Sequence, residues 1–301
     1  MRTQLPPRAR AWSRSHTFTH TAFPPDRLAA ERRHTVSVCL PARNEARTIG
    51  PILEALLPLR EQGVVDQVVV VDHSNDRTAD IASQLGAEVH VQEKLRPELG
   101  PVLGKGDAMW RSLDVLSGEL ICFLDADSEC FGAHYVCGLL GPLLTDPEIS
   151  FVKGFYRRPL RIAGAVLPDG GGRVTALTAR PALQLFYPEL AGFEQPLAGE
   201  VAARRELLER LPFVTDYGVD VALLLDAHAS LGLDALAQVD LAVRQNAHQP
   251  LRDLGPMAFS VLHAMATRLV RDGRLNGPLP GLDGTAGPVE RPPLHSLRAA
   301  A

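Results

Sequence analysis

Between residues 36 and 124 the chain alternates short runs of Val, Ile and Leu with stretches of helical spacing, and the apolar runs break off into polar residues. Strands are predicted over residues 36–40, 67–71, 87–91 and 119–124, and helices over 47–60, 77–85 and 105–116. Strands apolar on both faces and interleaved with helices fit an α/β fold, a parallel sheet with helices on both faces. In such a sheet ligands sit beyond the carboxyl ends of the strands, so the residues just past each strand are where chemistry is sought.

The order changes after Ile149. A strand is predicted over 150–156, then the glycine run Gly170-Gly171-Gly172 and helices over 175–186, 200–210 and 218–231, which would complete a second substrate pocket. The chain thus divides into halves at 35–150 and 151–273, between two flexible ends. Residues 1–34 hold Pro6-Pro7 and Pro24-Pro25 in an Arg-rich stretch, and residues 274–301 hold Pro278, Pro280, Pro288, Pro292 and Pro293 among glycines. Lys+Arg 31 against Asp+Glu 35 leaves a formal charge of -4, which excludes a dedicated nucleic-acid binder, since neutralising phosphates needs a basic excess. No apolar run approaches the roughly 20 residues of a bilayer span. Cys39, Cys122, Cys130 and Cys137 lack the paired spacing of a zinc or redox site and read as buried thiols, which suits a reducing cytoplasm.

The first strand runs into Pro41-Ala42-Arg43-Asn44-Glu45. Pro41 ends sheet pairing and frees backbone groups for a flat base or a ribose, with Glu45 as a fixed acceptor; Asn44-Glu45 equally suits the start of the next helix. The second strand ends at the carboxylate of Asp72, followed by Ser74, Asn75 and Asp76, which read as helix caps. The sharpest signal is Leu120-Ile121-Cys122-Phe123-Leu124 leading straight into Asp125-Ala126-Asp127. Alternation along extended backbone puts both carboxylates on one side, where they repel unless a cation or several donors lie between them. A hard divalent ion, Mg2+ or Mn2+, fits there and would bridge diphosphate oxygens, although a lone Asp-x-Asp also describes a polar turn.

Lys105 stands between Gly104 and Gly106, where it can meet a phosphate as a point charge, without the Walker spacing of an ATPase. From Gly170 to Thr175, bare backbone amides adjoin Arg173 and the Thr175 hydroxyl, either an anion cradle for phosphate or carboxylate or a flexible loop. Later come Tyr217 and Asp220, then Arg244, Asn246 and His248, of which the imidazole gains a ligand role only beside Asp127.

Together with Lys105-Gly106-Asp107-Ala108-Met109-Trp110, Gly171-Gly172-Arg173-Val174-Thr175, Tyr187-Pro188-Glu189-Leu190-Ala191-Gly192-Phe193 and Gln195-Pro196-Leu197-Ala198-Gly199-Glu200, these motifs resemble retaining glycosyltransferases of GT-A (Rossmann-like) fold. Over roughly residues 35–273 the chain looks most like the glucosyl-3-phosphoglycerate synthase family. That resemblance implies a cytoplasmic homodimer that moves glucose from UDP-glucose to the C2 hydroxyl of 3-phosphoglycerate, with retention and a divalent metal. It implies that Pro41, Ala42, Glu45, Asp72, Lys105, Asp125 and Tyr217 bind the nucleotide sugar, and that Gly172, Arg173, Val174, Thr175 and His248 bind the acceptor. Asp127 with Asn246 or His248 would hold the metal, and Asp127, Lys105, Asp220 and Arg244 would carry catalysis. Three places depart from the family pattern: the turn over 72–76 is one residue shorter, Asp220 stands for a Glu, and Asn246 and His248 occupy each other's usual positions. Two other readings stand beside this one: a nucleotide-sugar-binding protein without turnover, and a polyprenyl-phosphate glycosyltransferase.

Overall fold

The computed structural model describes residues 5–162, 165–168, 170–246, 249–276 and 288–299. In chain order, α1 (Pro7–Ser15), β1 (Thr17–Thr19) and α2 (Pro25–Glu31) precede β2 (Val36–Ala42), α3 (Ile49–Leu56), α4 (Pro58–Glu61), β3 (Gln67–Asp72), α5 (Thr78–Gln84) and β4 (Glu88–Val91). Next come α6 (Lys105–Ser112), β5 (Leu120–Phe123), α7 (His134–Thr145), β6 (Phe151–Arg157) and the hairpin β7 (Leu160–Ile162) and β8 (Ala165–Leu167). The chain continues through α8 (Arg180–Phe186), β9 (Val201–Arg204), α9 (Arg205–Arg210), β10 (Phe213–Val214), α10 (Val219–Leu231), β11 (Leu236–Val243), α11 (Leu254–Arg271), β12 (Glu290–Arg291) and α12 (Leu294–Ala299).

One eight-stranded sheet, in the order β1-β11-β6-β9-β5-β2-β3-β4, runs through both halves of the chain. Its strands separate two apolar layers. Val68 and Val70 of β3 enter one, and Val69 and Val71 enter the other, as the two-residue period of a strand covered on both faces requires. All neighbours pair in parallel except β9, which is antiparallel to both β5 and β6. The carboxyl ends of β2, β3, β5, β6 and β11 therefore share one edge, and the residue that enters β9, Glu200, lies at that same edge. No helix among the described residues is long and apolar enough to cross a membrane.

Three expectations are corrected. Residues 200–204 were expected to open a helix, but Val201 to Arg204 form β9; Ala202 and Ala203 favour helix in isolation, and the slot between β5 and β6 overrides that preference. The expected N-terminal arm is folded into the molecule. Trp12 is 3% exposed, packs on Phe193 at 4.4 Å between ring centroids and donates its indole N–H to the Leu236 carbonyl at 2.9 Å, while β1 adds to the sheet beside β11. Residues 288–299 of the expected loose C-terminal tail are likewise packed: β12 pairs with β10 and Leu294 is fully buried. The remainder of that tail from 277 to 287 lies outside the described residues.

Candidate active site

A cleft of ≈ 580 Å³ opens over the shared strand edge. Pro41 and Ala42, the last residues of β2 and still paired with β3, line it with Glu45 just beyond, Asp125 and Asp127 after β5, and Arg244 and Asn246 after β11. Lys105 enters from the start of α6, Gly172, Arg173, Val174 and Thr175 from the glycine loop, and Tyr217 and Asp220 from the start of α10. Asp72 is not among the lining residues. It is 5% exposed, and its carboxylate accepts the Ser74 hydroxyl at 2.6 Å and the Ser74 N–H at 3.2 Å, so it shapes the turn after β3. That turn is tied to the one after β2, since Asn44 N–H donates to Ser74 Oγ at 2.7 Å and Glu45 N–H to Thr78 Oγ1 at 2.9 Å. Asn44 sits at φ 61, a left-handed conformation that Asn tolerates better than most residues. His248 lies outside the described residues.

The floor of the cleft is a chain of alternating charge. Lys105 Nζ lies 3.1 Å from Asp220 Oδ2 and 2.6 Å from Asp125 Oδ1. Arg244, 3% exposed, contacts Asp125 Oδ2 at 2.8 Å, Glu200 Oε1 at 2.8 Å and Asp127 Oδ1. It also donates to the Tyr156 hydroxyl at 2.7 Å, which in turn donates to Glu200 at 2.7 Å. Arg244 thus supplies one positive charge between Asp125 and Asp127. Burial alone would pull the Lys105 pKa down, but Asp125 and Asp220 outweigh it and hold the ammonium well above its ordinary range. Burial likewise opposes ionisation of Asp125, and Lys105 and Arg244 overcome it, so that carboxyl is held low. Glu200 and Asp220 are raised, chiefly by burial. Glu45 is raised too, by burial first and then by Asp127.

Among the described residues no group of three or more His, Cys, Asp and Glu side chains is placed to hold a metal. Asp127 is 41% exposed and opens into the cleft. One carboxylate completed by substrate phosphates and water is how Mg2+ is commonly held, so this donor set fits a divalent ion that shares its shell with a bound diphosphate. Asn246 donates to Asp127 Oδ2 at 3.0 Å and accepts from Arg158 Nη2 at 2.8 Å. Its carbonyl oxygen faces a cation site only if the amide turns over.

Sequence reasoning passed over Arg158 and Lys153. Arg158 follows β6 directly and lines the cleft, so the rule of looking past each strand would have found it. Lys153 is 1% exposed within β6 and donates to the Asp220 carbonyl at 2.9 Å; burial drives its pKa down to about 8 against the pull of Asp220. Flanked by Val152 and Gly154, it gives no sequence signal of that role.

Residues 37–168 match the family model described as glycosyl transferase family 2. The chain is 44% identical over 259 residues to the glucosyl-3-phosphoglycerate synthase of Mycolicibacterium smegmatis, an alignment that covers 85% of each protein. It belongs to the glucosyl-3-phosphoglycerate synthase family. Two solved structures extend the likeness to three dimensions. The mannosyl-3-phosphoglycerate synthase of Rubrobacter xylanophilus matches with a TM-score of 0.88 at 43% identity, over 98% of this chain and 99% of that one. The glucosyl-3-phosphoglycerate synthase of Mycobacterium tuberculosis in complex with Mn2+, UDP-glucose and phosphoglyceric acid matches with a TM-score of 0.82 at 41% identity, over 94% of this chain and 99% of that one. Membership of the glucosyl-3-phosphoglycerate synthase family accords with the α/β sheet, which is that of a GT-A glycosyltransferase.

Proposed function

We propose that this chain transfers glucose, with retention, from UDP-glucose to the C2 hydroxyl of 3-phosphoglycerate. The observation that carries the reading is that one cleft gathers the strand-tip residues and Lys105, suited to a nucleotide diphosphate, with the Gly172–Thr175 loop, suited to an anionic acceptor. The nucleotide would lie against Pro41, Ala42 and Glu45 and the sugar beside Tyr217 and Asp220. Asp72 would act on the nucleotide through the turn it shapes.

Asp127, with the diphosphate, would hold Mg2+ or Mn2+, which when bound supplies positive charge to the departing diphosphate. Lys105 faces the same leaving group and stays charged throughout the physiological pH range because Asp125 and Asp220 hold its proton. Arg244 keeps Asp125 and Asp127 in register beneath it. A covalent glycosyl-enzyme would need a free carboxylate beneath the anomeric carbon, but Asp220 is bonded through both oxygens to Lys105, and Glu200 does not line the cleft. This supports front-face substitution. The acceptor hydroxyl attacks the anomeric carbon on the side from which UDP departs, the sugar–phosphate bond breaks as the new C–O bond forms, and the hydroxyl proton passes to the departing diphosphate oxygen.

The Rubrobacter match favours a second donor, a nucleotide-linked mannose, for the same acceptor. The homodimer and cytoplasmic setting of the family reading remain part of this proposal; Leu177 and Leu185, 75% and 74% exposed, offer apolar surface for a second copy. Nucleoside diphosphate release with UDP-glucose or GDP-mannose, with and without 3-phosphoglycerate and chelator, tests the reading. Release should need both the acceptor and the metal, and Asp127→Ala should abolish it; release that ignores acceptor and chelator would refute it.

A further inference from the structure

Resting on the transfer proposed above, we propose that Lys153 is a positioning residue for it: its buried charge keeps the Asp220 carboxylate ionised, and Asp220 in turn keeps Lys105 aimed at the departing diphosphate. Phe151, two residues before Lys153 and on the same face of β6, is fully buried in an apolar layer that also takes in Val219 and Val221 of α10. An apolar side chain is what such a position calls for. A lysine stands there instead, 1% exposed, with its ammonium donating to the Asp220 carbonyl at 2.9 Å. Among the described residues no carboxylate is in salt-bridge contact with it, whereas Lys105 contacts both Asp125 and Asp220. Taking an ammonium out of water for a carbonyl partner is costly. The charge offsets part of that cost by acting through space on the carboxylate of the residue it bonds.

Lys105 is held by two carboxylates, Asp220 through both oxygens at 3.2 and 3.1 Å and Asp125 through Oδ1 at 2.6 Å. Asp220 is 2% exposed, so burial works against its ionised form, and the charges that oppose burial are Lys105 and Lys153. A protonated Asp220 would give up its charge-assisted bonds to Lys105 and leave that ammonium to Asp125. The ionisable groups facing Lys153 are Asp220 of α10, Lys105 of α6, Glu200 before β9 and Asp125 after β5, and Tyr217 stands with them beside Asp220. Burial brings the Lys153 pKa down to about 8, so its ammonium is charged through the acidic and neutral range in which Asp220 exchanges its proton. A positive charge lowers the pKa of a neighbouring carboxyl, and removing it must raise that pKa.

The test reads Asp220 directly, by 13C NMR titration of carboxyl-labelled aspartate, its resonance being the one that Asp220→Asn deletes. Lys153→Met should raise the Asp220 pKa by about one unit, a tenfold change in the ratio of protonated to ionised carboxyl. Lys153→Gln, which retains an N–H donor without the charge, should do the same, and it serves if the methionine variant does not fold. In kinetics both variants should lose on the order of tenfold in kcat/KM for UDP-glucose on the acid side and recover toward wild type as the pH rises. Val152→Ala, a lesion of packing in the adjacent residue of β6, should leave the acid limb where it is. An Asp220 titration unmoved in both Lys153 variants, or a loss of kcat/KM by the same factor at every pH, would overturn the assignment. Wild type that releases no UDP with 3-phosphoglycerate would sink the transfer reading and the aiming of Lys105 with it, whereas an unmoved titration beside normal turnover removes Lys153 alone.

Discussion

Asp125 has room for only one orientation. Lys105 and Arg244 grip its two oxygens, and a Cβ at Gly199 would lie 2.2 Å from Oδ1 and 2.3 Å from Oδ2. Gly199→Ala must push the carboxylate off both cations, so kcat/KM should fall on the order of 100-fold, the scale of an ångström-sized misplacement, while urea unfolding stays cooperative. Steady-state kinetics at wild-type level would contradict this. At this scale the sequence was legible where a cleft-lining residue sits at a strand tip: Asp125, Asp127 and Pro41 announce themselves by following apolar runs. Asp72 follows one too, yet its carboxylate is taken up by Ser74, a local hydrogen bond that the strand-end rule does not weigh. The carboxylate repulsion argument was right in its physics and incomplete in its cation, because Arg244 arrives from more than a hundred residues away.

Among the elements, α6 is the one whose placement most affects the cleft, because Lys105 is its first residue. Gly104 precedes it at φ +128, and a Cβ at Gly106 would fall 1.9 Å from the Val214 carbonyl oxygen. The glycines flanking Lys105 thus admit the backbone of Val214 and Thr215, a close backbone approach of the kind the sequence allows there. Asp107, fully buried, accepts from Arg111 at 2.9 Å, from Leu103 N–H at 3.1 Å and from Arg291 of β12 at 2.7 Å, and Trp110 donates to the Pro292 carbonyl at 2.8 Å. The C-terminal segment therefore clamps the helix that carries Lys105. Arg291→Ala should cost about 1–3 kcal/mol of stability, since Arg111 still partners Asp107, and should raise the KM for UDP-glucose. Chemical unfolding and kinetics check the two together, and an unaltered KM would separate the clamp from the site. This segment was illegible because proline and glycine spacing carries no record of a long-range partner, just as β9 was hidden by residues that favour helix alone.

At the scale of the molecule, one sheet joins what the sequence suggested were two halves. Seven of the eight strands run the same way, and β9 alone runs back, bringing Glu200 under Arg244. The alternating first half was legible because buried parallel strands read as unbroken apolar runs. The N-terminal segment was not, since its contribution rests on Trp12 meeting Phe193 and Leu236, contacts that no local pattern encodes. The measurement that bears most directly on the whole account is the NMR spectrum of the product formed from UDP-glucose, Mn2+ and 3-phosphoglycerate. A single α-glucoside on the C2 oxygen, formed one-for-one with UDP, is predicted; a β-linkage, or free glucose with no glucoside, would contradict it.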